Sequence, residues 1–162
     1  MDVLLEYHAV FRPEDWRQNI LLPFQVPKGY DRLVVRLHYS PKEVRDPAVI
    51  RPQIEECVRK YWPKGTQLSE TDMEEFNCLY NFVTLSLDCG GEYVGCAHRH
   101  PPEQTIIVSA QEASPGFAPR AVTAGEWRVV LHVQAVVDGE VDFRAAVFGL
   151  EGGEDDDCIP AV

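Results

Sequence analysis

The sequence predicts an all-β fold: a β-sandwich or jelly roll of about seven or eight antiparallel strands with a short helical insertion. Three observations carry this. Apolar and polar residues alternate in several runs, the period of a strand with one buried face. Twelve prolines and eleven glycines interrupt the chain too often for long helices. The composition, 45% hydrophobic and 25% charged over 162 residues, suits one folded domain with its own core.

Residues 3–11 form the first strand, closed by a turn at Arg12-Pro13-Glu14-Asp15. Residues 19–26 form the second. Pro23 within it cannot donate to a ladder, which marks an edge or bulged strand. In the third, Leu33, Val35, Leu37 and Tyr39 share one face, while Arg32, Arg36 and a solvated His38 take the other. Residues 50–62 place Ile50, Ile54, Cys57, Val58 and Tyr61 near helical spacing, with Pro52 in the first turn. Ser69-Glu70-Thr71-Asp72 opens a second helical turn as a capping box. Residues 41–76 thus read as an insertion over an edge or end of a sheet.

Strands resume with Leu79, Asn81, Val83, Leu85 and Leu87 on one face. After the turn at Cys89-Gly90-Gly91, the next strand runs through residues 92–96 with Val94 and Cys96 inward. Residues 105–112 bury Ile106, Val108 and Ala110, and residues 114–119 form an irregular loop. Trp127, Val129, Leu131, Val133 and Ala135 alternate, as do Val141, Phe143, Ala145 and Val147. These two strands are expected to form a hairpin, whose three-residue Val137-Asp138-Gly139 loop sets Val133 against Phe143 and Leu131 against Ala145 and so buries one common face. His132 then lies opposite, with Arg128 and Gln134. The domain spans residues 1–150, and residues 151–162 form an acidic, flexible tail.

Lys plus Arg number 15 against 26 Asp plus Glu, a formal charge of −11. That field repels phosphate backbones and anionic lipid, so neither nucleic acid nor membrane is an expected partner. A protein partner or a homo-oligomer is. The N-terminus has no basic region followed by an apolar run, and no stretch reaches the roughly 18 apolar residues of a membrane span. A cytoplasmic location follows as an expectation. The five cysteines, Cys57, Cys78, Cys89, Cys96 and Cys158, lack the paired spacing of a zinc site and read as free thiols.

The run Ala113-Ser114-Pro115-Gly116-Phe117-Ala118-Pro119, followed by Ala124-Gly125-Glu126-Trp127-Arg128-Val129-Val130-Leu131, resembles a known module. It is similar to the non-catalytic N-terminal β-sandwich domain of PHP-type (carbaryl-hydrolase-like) metallohydrolases, and more distantly to the bacterial pre-peptidase C-terminal domain. The stretch from Ile20 to Gly29 and the strand after it also fit. The resemblance covers residues 18–40 and 79–149, and residues 41–76 match nothing in it. It implies the accessory fold alone. The catalytic domain of those hydrolases is histidine-rich, whereas this sequence has five histidines, so that domain is expected to be absent.

One stretch carries chemistry-bearing residues close together: Gly95-Cys96-Ala97-His98-Arg99-His100-Pro101-Pro102-Glu103-Gln104. Four readings of it stand open. In a metal site, His98 and His100 project from one strand face, joined by His132, as in a small cupin-like metal-dependent enzyme. Against this, Gly91 precedes His98 by too many residues, Glu103 follows His100 too closely, and Pro101-Pro102 interrupts the strand. A ligand pocket for an anion would use His98, Arg99, His100 and Gln104, with Arg99 as a planar fork for carboxylate or phosphate. A polar subunit interface and a structural strand rim complete the four.

No G-x-S-x-G elbow or phosphate-cradling glycine loop occurs, and Cys96 beside His98 lacks an orienting third group. No enzyme and no cofactor is therefore predicted. The expected function is a non-enzymatic accessory or binding module for protein interaction or assembly. A small-ligand or carbohydrate binder using Tyr80, Phe117 or Trp127 is a further alternative, with Trp127 a core residue first.

Overall fold

The computed structural model of the protein describes residues 1–98, 101–154 and 159–162. Ten strands run in chain order: β1 (Asp2–Phe11), β2 (Asn19–Val26), β3 (Arg32–Ser40), β4 (Glu43–Val44), β5 (Leu79–Tyr80), β6 (Phe82–Cys89), β7 (Glu92–Ala97), β8 (Glu103–Ser109), β9 (Gly125–Ala135) and β10 (Val141–Leu150). Helices α1 (Pro47–Tyr61) and α2 (Glu70–Glu75) fall between β4 and β5. The eight long strands form two four-stranded antiparallel sheets, ordered β1-β10-β3-β8 and β2-β9-β6-β7. The protein is an all-β sandwich with a helical insertion.

The alternation read from the sequence is the alternation of burial. Leu33, Val35, Leu37 and Tyr39 from one sheet meet Val83, Leu85, Leu87, Trp127, Val129 and Leu131 from the other in a single core. Phe143 is fully buried there, its ring 5.6 Å from that of Phe11. Trp127 is a core residue whose indole N–H donates to Thr123 O at 3.0 Å. Strand β2, with Pro23, is an edge strand as expected. The described cysteines, Cys57, Cys78, Cys89 and Cys96, are free.

Three details differ from the sequence reading. First, β9 and β10 do not form a hairpin: each lies in a different sheet, β9 pairing with β2 and β6 and β10 with β1 and β3. Their apolar faces meet across the core, which buries the same residues that in-sheet pairing would have buried. Second, β7 carries an extra residue, because Leu87 pairs with Gly95 but Asp88 pairs with Tyr93. Val94 and Ala97 therefore face the core, while Cys96, opposite Ser86, faces outward. Third, α1 begins at Pro47, so Pro52 sits beyond its first turn, and Ala110 is exposed past the end of β8.

The irregular 114–119 segment lies along the free edge of β7. Cys96 N–H donates to Gly116 O at 3.0 Å, and Ala118 N–H donates to Val94 O at 2.9 Å. This approach needs glycine twice. A Cβ on Gly95 would lie 2.4 Å from the Phe117 Cα, and one on Gly116 would lie 2.4 Å from Cys96 O. The segment covers an edge that would otherwise offer unpaired backbone groups.

Asn81, fully buried between β5 and β6, ties the sandwich end together. Its Nδ2 donates to Pro41 O at 3.0 Å, and its Oδ1 accepts from Val137 N–H at 2.7 Å. The Lys42 ammonium donates to Asn81 O and to the Tyr39 hydroxyl, both at 2.9 Å. It also lies 5.1 Å from the Phe82 ring centre, and burial lowers its pKa. Gln53 of α1 donates to Val137 O at 2.8 Å, linking the insertion to the β9–β10 connection. On the far sheet, Ile159 is buried against Val34, Ala146 and Phe148, outside the main core. Among the described residues no helix is long and apolar enough to cross a membrane.

Candidate functional site

The outer face of the β2-β9-β6-β7 sheet carries a polar row built across strands. Asn19 pairs with His132, and His132 with Thr84. Leu85 pairs with Ala97, which brings Thr84 abreast of His98, the first residue past β7. Thr84, His132 and His98 sit at even positions and Asn19 at an odd one, each next to a residue that packs in or against the core, so the pleat that buries Val83, Leu85 and Leu131 turns this row outward. The next row holds Val130, Ser86 and Cys96, and the one beyond holds Arg128 and Asp88.

His132 is fixed at both ring nitrogens. Its Nδ1 lies 2.7 Å from Asn19 Oδ1, and its Nε2 lies 3.0 Å from Ser86 Oγ. Asn19 Oδ1 can only accept, so Nδ1 carries the proton and Nε2 accepts the Ser86 hydroxyl hydrogen. This is a neutral imidazole. Burial lowers the His132 pKa, His98 lowers it further, and Asp88 opposes both. Asp88 accepts from Arg128 Nε at 3.1 Å and Nη2 at 2.5 Å, which neutralises the adjoining row. Burial also raises the Cys96 thiol pKa, so this cysteine stays protonated and is no nucleophile.

Thr84 is the exception to this satisfaction. Its residue is fully buried, and among the described residues its hydroxyl has no hydrogen-bond partner. Such a group costs about 1–3 kcal/mol relative to a satisfied one. Between His132 and the exposed His98, it is a donor and an acceptor waiting for a third group.

The Ser86–His132–Asn19 connectivity is that of an acyl-transfer relay, but its surroundings are not. Strand β6 lies between β9 and β7, and across Leu85–Leu87 both ladders are formed. The backbone N–H groups beside Ser86 are thus spent in the sheet and cannot supply an oxyanion hole. The relay instead holds His132 in one tautomer and orientation.

The expected site residues scatter. His98 comes into the row of His132, one strand away across Thr84, a long-range alignment that chain spacing does not reveal. Gln104 is in the other sheet, buried opposite Leu37, with its amide donating to Pro101 O at 2.9 Å. Arg99 and His100 lie outside the described residues. The proposed His98, His100 and His132 metal set meets one obstacle: both nitrogens of His132 are engaged. Among the described residues no cluster of three His, Cys, Asp or Glu side chains can hold a metal ion. Of the aromatics weighed as a ligand platform, Trp127 is buried and Phe117 packs against the core, leaving Tyr80 exposed.

Sequence reasoning missed Thr84, Ser86 and Asn19. The signal available was the run Val83-Thr84-Leu85-Ser86-Leu87-Asp88, whose even positions are polar on a strand between two others. No family model, curated protein or solved structure matches this chain.

Proposed function

We propose that the protein is a non-enzymatic accessory module that binds a partner through the outer face of the β2-β9-β6-β7 sheet. The observation that carries this reading is the buried Thr84 hydroxyl between His132 and His98, without a hydrogen-bond partner among the described residues. An oxygen of the partner, from a carboxylate or a peptide carbonyl, would accept from the exposed His98 imidazole and, once the side chains covering it shift, from Thr84. The unpaired hydroxyl then becomes part of the binding energy. Leu21 and Tyr93, both exposed on strands of this sheet, add apolar contact area of the kind interfaces use. The accessory role also agrees with the likeness to the non-catalytic hydrolase domain. We read the nested strand order, in which β1 pairs with β10 and β2 with β9, as that of a jelly roll.

Thr84→Val tests the reading, because it keeps the shape and removes the hydroxyl. The free variant should be as stable as the parent or more so, by up to about 1 kcal/mol. In an NMR titration with acetate or a short acidic peptide, amide and imidazole shifts around His98 should saturate in the parent and vanish in the variant. Equal shifts in both proteins, or a variant clearly less stable than the parent, would overturn the assignment.

A further inference from the structure

The helical insertion has chemistry of its own, separate from the sheet face. Helix α1 turns Ile50 and Val58 inward, and α2 contributes Met73; these are the buried residues of the two helices. Two cavities flank this small cluster, one of about 580 Å³ and one of about 300 Å³. Arg51 and Met73 line both, so one trough runs along α1 and is divided by two side chains. Both volumes lie in the range of small-molecule sites.

The lining of the larger cavity is amphiphilic. Val58, Leu68 and Met73 supply apolar surface, and Arg51, Arg59 and Lys64 set three cations against the single carboxylate of Glu55. In a chain with a formal charge of −11, that local excess of positive charge runs against the whole. Arg51 is committed, bonded to Glu70 Oε2 at 2.6 Å. Arg59 is not: its ion pair with Glu56 is 3.8 Å long on a side chain that is 78% exposed. Among the described residues Lys64 has no ion-pair partner. Arg59 sits where a helix dipole favours a cation, but Lys64 follows Pro63, beyond the end of α1, and the dipole does not account for it. The smaller cavity continues the apolar path with Ile50 and Phe76.

We infer that this trough binds an amphiphilic carboxylate, a medium-length acyl chain with an anionic head. The head pairs with Arg59 and Lys64. The chain lies over Val58 and Leu68 and, once the flexible Met73 side chain shifts, reaches Ile50 and Phe76. Binding would bridge α1, the 63–68 loop and α2, whose cross-link is now the Arg51–Glu70 pair. The inference stands independently of the sheet-face reading, since the two sites share no residue.

Decanoate is the probe, titrated below its micelle concentration into the intact protein, with decanol as the uncharged control. Amide shifts should saturate within residues 47–76 and leave the sheet residues around Thr84 unmoved. Decanol should bind more weakly than decanoate. Arg59→Gln with Lys64→Gln, both exposed changes, should weaken decanoate about tenfold or more, the loss expected for charged hydrogen bonds. Absence of saturable binding, equal binding of decanol, an unaffected double variant, or shifts centred on the sandwich would each overturn the inference.

Discussion

Replacing Asn81 by alanine should unfasten the end of the sandwich where three connections meet. The loss can be worked from its partners. Val137 N–H, half-buried, loses its 2.7 Å acceptor, an unsatisfied donor worth about 1–3 kcal/mol. Pro41 is exposed, so water can replace the 3.0 Å bond to its carbonyl, and only the net value of about 0.5–1.5 kcal/mol is lost there. Together these give about 2–4 kcal/mol, a large share of the 5–15 kcal/mol typical of a folded domain. In a domain of this size that lowers Tm by roughly 6–12 °C. Urea unfolding followed by far-UV circular dichroism measures the change directly, with the midpoint shifted and the slope unchanged. A loss under about 1 kcal/mol would mean that water satisfies both groups, and that Asn81 does not hold the β9–β10 connection in place.

Four further outcomes are expected. His132 has a folded pKa below its ordinary 6.5, so the unfolded chain takes up the proton first. Its contribution is constant above that value and falls as pH drops through it; the stability difference between the parent and His132→Gln should therefore change between pH 7.5 and 5.5, and parallel curves would contradict this. In the same protein His98→Ala should raise the His132 pKa measured by NMR, since a like charge is removed. Gly95→Ala should destabilise by about 1–3 kcal/mol or more, because its methyl meets the backbone of Phe117 and Gly116, and hydrogen exchange at Cys96 and Ala118 should rise first. Phe143→Ala, at a fully buried position between the sheets, should cost about 3–5 kcal/mol by calorimetry or urea titration.

How far the sequence could be read follows from which interactions are local. Alternation from Leu33 to Tyr39 and from Trp127 to Val133 depends on the pleat alone, and each of those inward assignments holds, whereas past the register shift Val136 rather than Ala135 enters the core. The partner of a strand is different. Val129, Leu131 and Val133 are buried equally well beside β10 or across from it, so parity cannot distinguish a hairpin from a crossing between sheets. The bulge at Val94 is equally silent, since an extra residue in β7 is visible only against β6, and it reverses the side on which Cys96 falls. The histidines show the same limit. His98 and His132 share a row because two ladders of β6 align them, whereas chain spacing sets His98 beside His100 alone. Thr84 could be placed on a polar face from the sequence, but its lack of a partner is a property of the assembled sheet.

The strand order also sets a schedule for folding. Strand β10, far from β1 in the chain, pairs on one side with β1 from Asp2–Gly149 to Phe11–Val141 and on the other with β3. Strand β9 likewise stands between β2 and β6. One inner position of each sheet is thus filled by a strand made after the other strands of the sandwich. Until β9 and β10 are made, β1 and β2 have no strand to join, and the β4–β5, β3–β8 and β6–β7 ladders are those that can form. High contact order of this kind predicts slow folding and a nascent chain whose early strands stay open to wrong partners and chaperones until β9 and β10 have been made.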